Sequence, residues 1–236
     1  MAENLSILPP IKAVFFDAAG TLFQLRESVG ESYAQVARRH GFKLDPVATN
    51  LAFHKAWKSM PEPGSPIGHE QDTSEKAWWR AVVVEVLNQF PGLEIPNVED
   101  YFEDLFAFYA SASVWHTYPE TVGVLEALRQ RALPCFVLSN FDARLLPVLE
   151  GLGLAEHFDG VFYSGQIGHA KPSAKVFTYA LEKAKMPAQA CLHVGDDPIA
   201  DWKGARDAGL QVFELDRTKQ DLQTILNFEN LPDFSH

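Results

Sequence analysis

Four places in this 236-residue chain carry side chains able to do chemistry, three of them directly after a short apolar run. Asp17 follows residues 11–16 (I-K-A-V-F-F) and is itself followed by Ala18, Ala19, Gly20 and Thr21. Ser139 and Asn140 follow residues 134–138 (P-C-F-V-L). Gly195, Asp196 and Asp197 follow residues 191–194 (C-L-H-V), with Asp201 a little further on. Lys171 and Pro172 precede a helical pattern at 174–184. A carboxylate, a hydroxyl, a lysine and a second group of carboxylates suit attack by Asp17 on a phosphoryl group. Ser139 and the backbone N–H groups around Asn140 would hold phosphate oxygens, and Lys171 would place a point charge beside nucleophile and phosphoryl group.

Asp17, Asp196, Asp197 and Asp201 are too many negative charges to gather without a counter-charge, because mutual repulsion would raise their pKa values. A hard divalent cation resolves the repulsion, and an all-oxygen set fits Mg²⁺. Such an ion would also neutralise a phosphate enough for an anionic carboxylate to approach it. Asp197 and Asp201 carry a simpler reading too, as caps of the next helix.

The elements that must bring these residues together are legible as alternation. Residues 11–16, 134–138, 160–163, 191–194 and 211–215 are short continuous apolar runs, the mark of strands buried on both faces of a parallel sheet. Helical patterns at 121–131, 142–151, 174–184 and 199–208 lie between them. Strand and helix in alternation predict a Rossmann-like, doubly wound parallel sheet of the α/β class, where ligands bind beyond the carboxyl ends of the strands. Residues 24–114 break the pattern, with amphipathic helical stretches at 29–40, 47–59, 74–90 and 98–111 and a Pro/Gly-rich loop at 60–71. The expected organisation is a core of residues 1–23 and 115–236 carrying an inserted four-helix-type cap of residues 24–114.

Bulk properties narrow the classes. A formal net charge of −11 disfavours nucleic acid or an anionic membrane as partner. No apolar run reaches the ~18 residues of a membrane span, and residues 1–10 do not read as a secretory signal. Cys135 and Cys191 lie within predicted strands, which argues for free buried thiols in a reducing compartment. The expectation is a soluble cytoplasmic protein, monomer or homodimer, acting on a small phosphorylated molecule.

F-F-D-A-A-G-T-L, V-L-S-N-F-D, A-K-P-S-A-K-V-F and H-V-G-D-D-P-I-A-D-W-K-G-A-R-D-A-G resemble, in this order, the four motifs of the haloacid dehalogenase-like (HAD) hydrolases. The segments V-G-E-S-Y-A, S-N-F-D-A-R-L and G-L-G-L-A-E-H-F-D are similar to those of the group containing the HAD-like hydrolase domain-containing protein 3 and the rhythmically expressed fly protein. The resemblance covers nearly the whole chain and includes a helical cap inserted after motif one. It implies Asp17 as nucleophile and Mg²⁺ ligand, Asp196 as second ligand and the backbone carbonyl of Ala19 as third. Asp201 would be a ligand or a carboxylate just behind the ligands.

One position departs from that pattern. Most phosphatases of the family carry an aspartate two residues after the nucleophile, which protonates the leaving group and later activates water; here it is Ala19. Such acid–base help is worth ~10²–10⁴-fold, about 3–5 kcal/mol of barrier. Alkoxide leaving groups would feel the loss most, acyl and aryl phosphates least. His54, His69, Glu27 and His169 are candidates to replace the acid. The alternatives are a haloacid dehalogenase, whose halide needs no proton, a phosphonatase using Lys55, Lys58 or Lys76, and a non-catalytic phosphate- or metal-binding protein. Trp57, Trp78, Trp79, Phe102, Phe106 and Tyr109 read as cap core, Trp115, His116 and Tyr118 as packing or gating residues near the hinge, and His193 as a satisfied core histidine.

Overall fold

A computed structural model describes residues 8–61 and 75–232. Residues 1–7 of the amino-terminal segment, most of the expected 60–71 loop, Ser74 and the acid candidate His69 lie outside the described residues. The strands are β1 Ala13–Phe16, β2 Phe23–Leu25, β3 Trp115–Thr117, β4 Cys135–Ser139, β5 Gly160–Tyr163, β6 Cys191–Gly195 and β7 Gln211–Glu214. The α-helices are α1 Val29–Arg39, α2 Pro46–Ser59, α3 Glu75–Leu87, α4 Val98–Ala110, α5 Thr121–Gln130, α6 Leu145–Gly151, α7 Ser164–Ile167, α8 Ala174–Ala184 and α9 Gly204–Asp207. None of the described helices is long and apolar enough to cross a membrane.

Five strands form one parallel sheet in the order β5-β4-β1-β6-β7, the doubly wound α/β arrangement expected from the alternation. β1 is central, and all four of its residues are fully buried. Burying Val14, Phe15 and Phe16 contributes on the order of 1.5–3 kcal/mol each. Alternate residues face opposite sides. Ala13 and Phe15 join Phe136 and Leu138 under Val176, Phe177 and Ala180 of α8 and Ala205 of α9. Phe15 stacks on Phe136 at 5.0 Å, and Phe136 on Phe162 at 6.0 Å. α5 packs against β4 and buries Val124, Leu125 and Leu128.

Register converts this packing into placement. Phe16 pairs with Val137 on one side and Val194 on the other. Asp17 is the next residue, and its N–H donates to Val194 O at 2.8 Å. Ser139 and Asp196 each come two residues past these pairings, so three chain segments deliver functional groups to one sheet edge.

Several boundaries differ from expectation. β1 begins at Ala13, two residues later than expected; the N–H groups of Ile11 and Lys12 donate to Asn230 O and Ala190 O. The expected single helix at 199–208 is a wide turn over Pro198–Lys203 followed by α9. β2 and β3 were not expected; they pair as a two-stranded ribbon.

The chain divides into two compact units: residues 1–24, 117–141 and 153–236, and residues 25–116 with 142–152. The second unit is helical. α1 starts at a capping box, with Ser28 and Glu31 each accepting from the other's backbone N–H. Asp45 and Asn97 cap α2 and α4. Its core is built from Tyr33, Val36, Val83, Val86, Tyr101, Phe102 and Leu105. Trp57, Trp78 and Trp79 pack on one another with ring centroids 5.1–5.5 Å apart. Within this unit Asp142 and Arg144 form a buried pair at 2.6 Å, the guanidinium lying 3.7 Å over the Phe106 ring.

Candidate active site

Asp17, Lys171, Asp196 and Asp201 meet at the carboxyl edge of β1 and β6, all within the sheet-bearing unit. Lys171 is 5% exposed, and its Nζ donates to Asp17 Oδ1 at 2.7 Å and to Asp201 Oδ1 at 2.5 Å. The three carboxylates each offer an oxygen within 4.8 Å of the others. One ammonium faces three acids, so the cluster keeps an excess of negative charge.

The protonation equilibria follow from that imbalance. Burial pushes Asp17 above the usual carboxylate range; the Lys171 ammonium opposes the rise and Asp201 adds to it. Asp196 is pushed up to about 6 by burial and by the charges of Asp17 and Asp201, against the Thr21 hydroxyl that donates to its Oδ1 at 3.1 Å. Asp201 goes the other way: burial works upward, but the Lys171 ammonium and the His193 hydrogen bond outweigh it. Lys171 itself is raised, its desolvation outweighed by Asp17 and Asp201. The donor set therefore fits a divalent cation, being all oxygen, crowded and under-neutralised. Asp17, Asp196 and Asp201 could hold one.

Ser139 is the last residue of β4 and is buried. The Asn140 amide is committed to the Lys171 backbone, accepting its N–H at 2.7 Å and donating to its carbonyl at 2.8 Å. This amide clamp fixes the loop that presents Lys171. Asp197 is a cap, taking the N–H groups of Ile199 and Ala200 at 2.7 Å each. Ala19 is half-buried and offers no side-chain acid. Of its candidate replacements, Glu27 and His54 are exposed residues of the helical unit, and His169 is half-buried in the sheet-bearing unit. Lys76 pairs with Glu103 at 2.7 Å, while Lys55 and Lys58 are exposed.

Two supports escaped the sequence. His193 is not simply a satisfied core histidine: Nε2 lies 2.8 Å from Asp201 Oδ1, and Nδ1 is buried with no hydrogen-bond partner among the described residues. Arg217 donates to the carbonyls of Gly20 and Thr21, pairs with Glu120 and lies 3.6 Å over the Tyr118 ring. Glu120 in turn accepts the N–H of Leu222 at 3.2 Å. Arg217 stands just past β7, at the same kind of strand end as Asp17 and Asp196, and that position is the one signal in the sequence that points to it.

Comparison with known proteins gives the context of this geometry. A family profile described as haloacid dehalogenase-like hydrolase matches residues 11–209. The chain is 34% identical over 215 residues to the bovine (Bos taurus) haloacid dehalogenase-like hydrolase domain-containing protein 3, covering 90% of this chain and 83% of that one. It is 25% identical over 213 residues to the rhythmically expressed gene 2 protein of Drosophila melanogaster, covering 86% and 82%. Among solved structures, the HAD-hydrolase YfnB of Bacillus subtilis, bound to magnesium, superposes with a TM-score of 0.72 at 16% identity, over 94% of this chain and 100% of that one.

Proposed function

Because the chain belongs to the haloacid dehalogenase-like hydrolase family, we propose that it is a Mg²⁺-dependent phosphohydrolase whose Asp17 attacks a small phosphate ester. The observation that carries this reading is the set of three carboxylates with oxygens within 4.8 Å of one another, two of them, Asp17 and Asp201, paired with the buried Lys171 ammonium. Asp17, Asp196 and the backbone carbonyl of Ala19 would hold the Mg²⁺, with Asp201 beside them. When bound, that ion offsets the negative charge of carboxylates and phosphate.

This chain's own residues do the rest. Lys171 holds one Asp17 oxygen, leaving the other to face the phosphorus. The Ser139 hydroxyl and the backbone N–H at Asn140 receive phosphoryl oxygens, and Lys171 stabilises charge developing in the transition state. The helical unit serves as the cap that chooses the substrate. Without an acid at Ala19 the chemistry favours acyl or aryl phosphates, whose leaving groups depart without a proton.

A dehalogenase reading is favoured by Ala19 alone, whereas the crowding of Asp196 against Asp17 and Asp201 is reason to prefer the metal-dependent one. The test is a phosphate-release panel with and without Mg²⁺, on wild type and Asp17→Asn. Release that requires both Mg²⁺ and Asp17 is expected. Full activity in Asp17→Asn, or chloride release from 2-chloropropionate without metal, would overturn it.

A further inference from the structure

His193 lies in the middle of β6, fully buried, paired with Phe15 on one side and Val212 on the other. Its ring meets Phe177 edge-on at 5.5 Å, a slot that an aliphatic side chain would also fill. Histidine carries a cost there, because Nδ1 is buried with no hydrogen-bond partner among the described residues. What offsets that cost is the contact of Nε2 with Asp201 Oδ1 at 2.8 Å. That oxygen already accepts from the Lys171 ammonium, so it meets His193 as an acceptor too, and Nε2 carries the hydrogen.

We propose that His193 is a positioning residue for Lys171: through Nε2–H it holds the Asp201 carboxylate turned toward the Lys171 ammonium, and so fixes that ammonium against Asp17. Asp201 is held on its other sides as well. Its Oδ2 accepts the N–H of Asp197 at 3.1 Å, and a Cβ on Gly195 would come within 2.2 Å of its Cγ, so the strand backs directly onto it. His193 supplies the remaining restraint, and the chain of contacts runs His193–Asp201–Lys171–Asp17 without a gap. A hydrogen bond three residues removed from the attacking oxygen thus sets where the ammonium sits, as supporting residues do around other reactive groups.

The inference rests on the reading of Asp17 as the attacking group, and its test separates the two. The Lys171 Nζ–H signal, assigned by its absence from Lys171→Met, is followed in ¹⁵N-edited spectra of the whole protein. It is expected to be protected from exchange in wild type and in His193→Gln, whose amide can replace the Nε2 donor. It is expected to be lost in His193→Leu and in the shorter His193→Asn, the second serving if the first does not fold. With para-nitrophenyl phosphate and Mg²⁺, kcat should fall about 10- to 100-fold in His193→Leu with little change in KM. His193→Gln should recover most of it. An unchanged Lys171 signal in His193→Leu, or equal losses of kcat in the Gln and Leu variants, overturns the proposal. If wild type releases no phosphate, the attack by Asp17 fails and the Lys171 signal alone decides the role of His193.

Discussion

Gly20 and Asp196 are fitted to each other: a Cβ on residue 20 would lie 2.5 Å from Asp196 Oδ2. Residue 20 also has φ +92°, a conformation that L side chains rarely adopt. The glycine of the first motif therefore does two things, turning the chain after Asp17 and clearing the space into which a carboxylate from β6 projects. Gly20→Ala should lower stability by about 1–2 kcal/mol from backbone strain and displace Asp196. Thermal melts together with Mg²⁺ titration calorimetry check both effects. A variant with wild-type Mg²⁺ affinity would show that Asp196 does not depend on this fit.

The shift of Asp196 to about 6 from a usual 3.8 makes a signed prediction about pH. A carboxylate whose folded pKa is raised binds its proton more tightly in the native state. Metal-free protein should therefore lose stability as pH rises from about 4 through 6, where the unfolded chain ionises first. A cation needs the ionised form, so Mg²⁺-induced stabilisation should be full above about pH 7. It should fall away below 6, by up to about tenfold in apparent affinity per pH unit. Asp17, raised in the same direction, steepens the dependence. Melting curves with and without Mg²⁺ from pH 5 to 8 measure this. A metal shift equal at both ends would dissociate Asp196 from metal binding.

Arg217 ties the turn after Asp17 to the rest of the sheet-bearing unit, through the carbonyls of Gly20 and Thr21 and the pair with Glu120. Its side chain is 18% exposed and that of Glu120 15%, so solvent screens the pair only partly. Arg217→Leu should cost about 1–3 kcal/mol, less than a fully buried pair because of that exposure. It should also lower kcat more than KM, because it loosens the turn beside Asp17 and not a substrate contact. Urea melts and steady-state kinetics read the two effects separately.

How much of this was legible depends on where each residue stands. β1, β4 and β6 are buried on both faces, so their apolar runs stand out. Asp17, Ser139 and Asp196 stand out as candidates because in such a sheet ligands bind beyond the strand ends. β2 and β3 are three residues each, too short for any periodicity to register. The two readings of Asp197 and Asp201 could not be separated along the chain, because both follow the same strand. Only the turn over Pro198–Lys203 decides that Asp197 takes backbone N–H groups while Asp201 reaches back to Lys171 and His193. Arg217 could not be found from its neighbours in the chain, because its partners are carbonyls almost 200 positions earlier.

Ala19 leads to the last prediction. With no acid–base partner two residues past Asp17, formation of an aspartyl phosphate from a good donor should outrun its hydrolysis, since attack needs no leaving-group proton while water must still be activated. Treatment with acetyl phosphate and Mg²⁺ should therefore add one phosphoryl group, visible by intact mass in wild type and absent from Asp17→Asn. Ala19→Asp should then drain that species and raise turnover of alkyl phosphates, by up to ~10²–10⁴-fold if the new carboxylate reaches the site. A wild-type protein that turns over freely without accumulating the adduct would mean that another group already activates water. His169, the half-buried candidate in the same unit as Asp17, is the first to replace in that event.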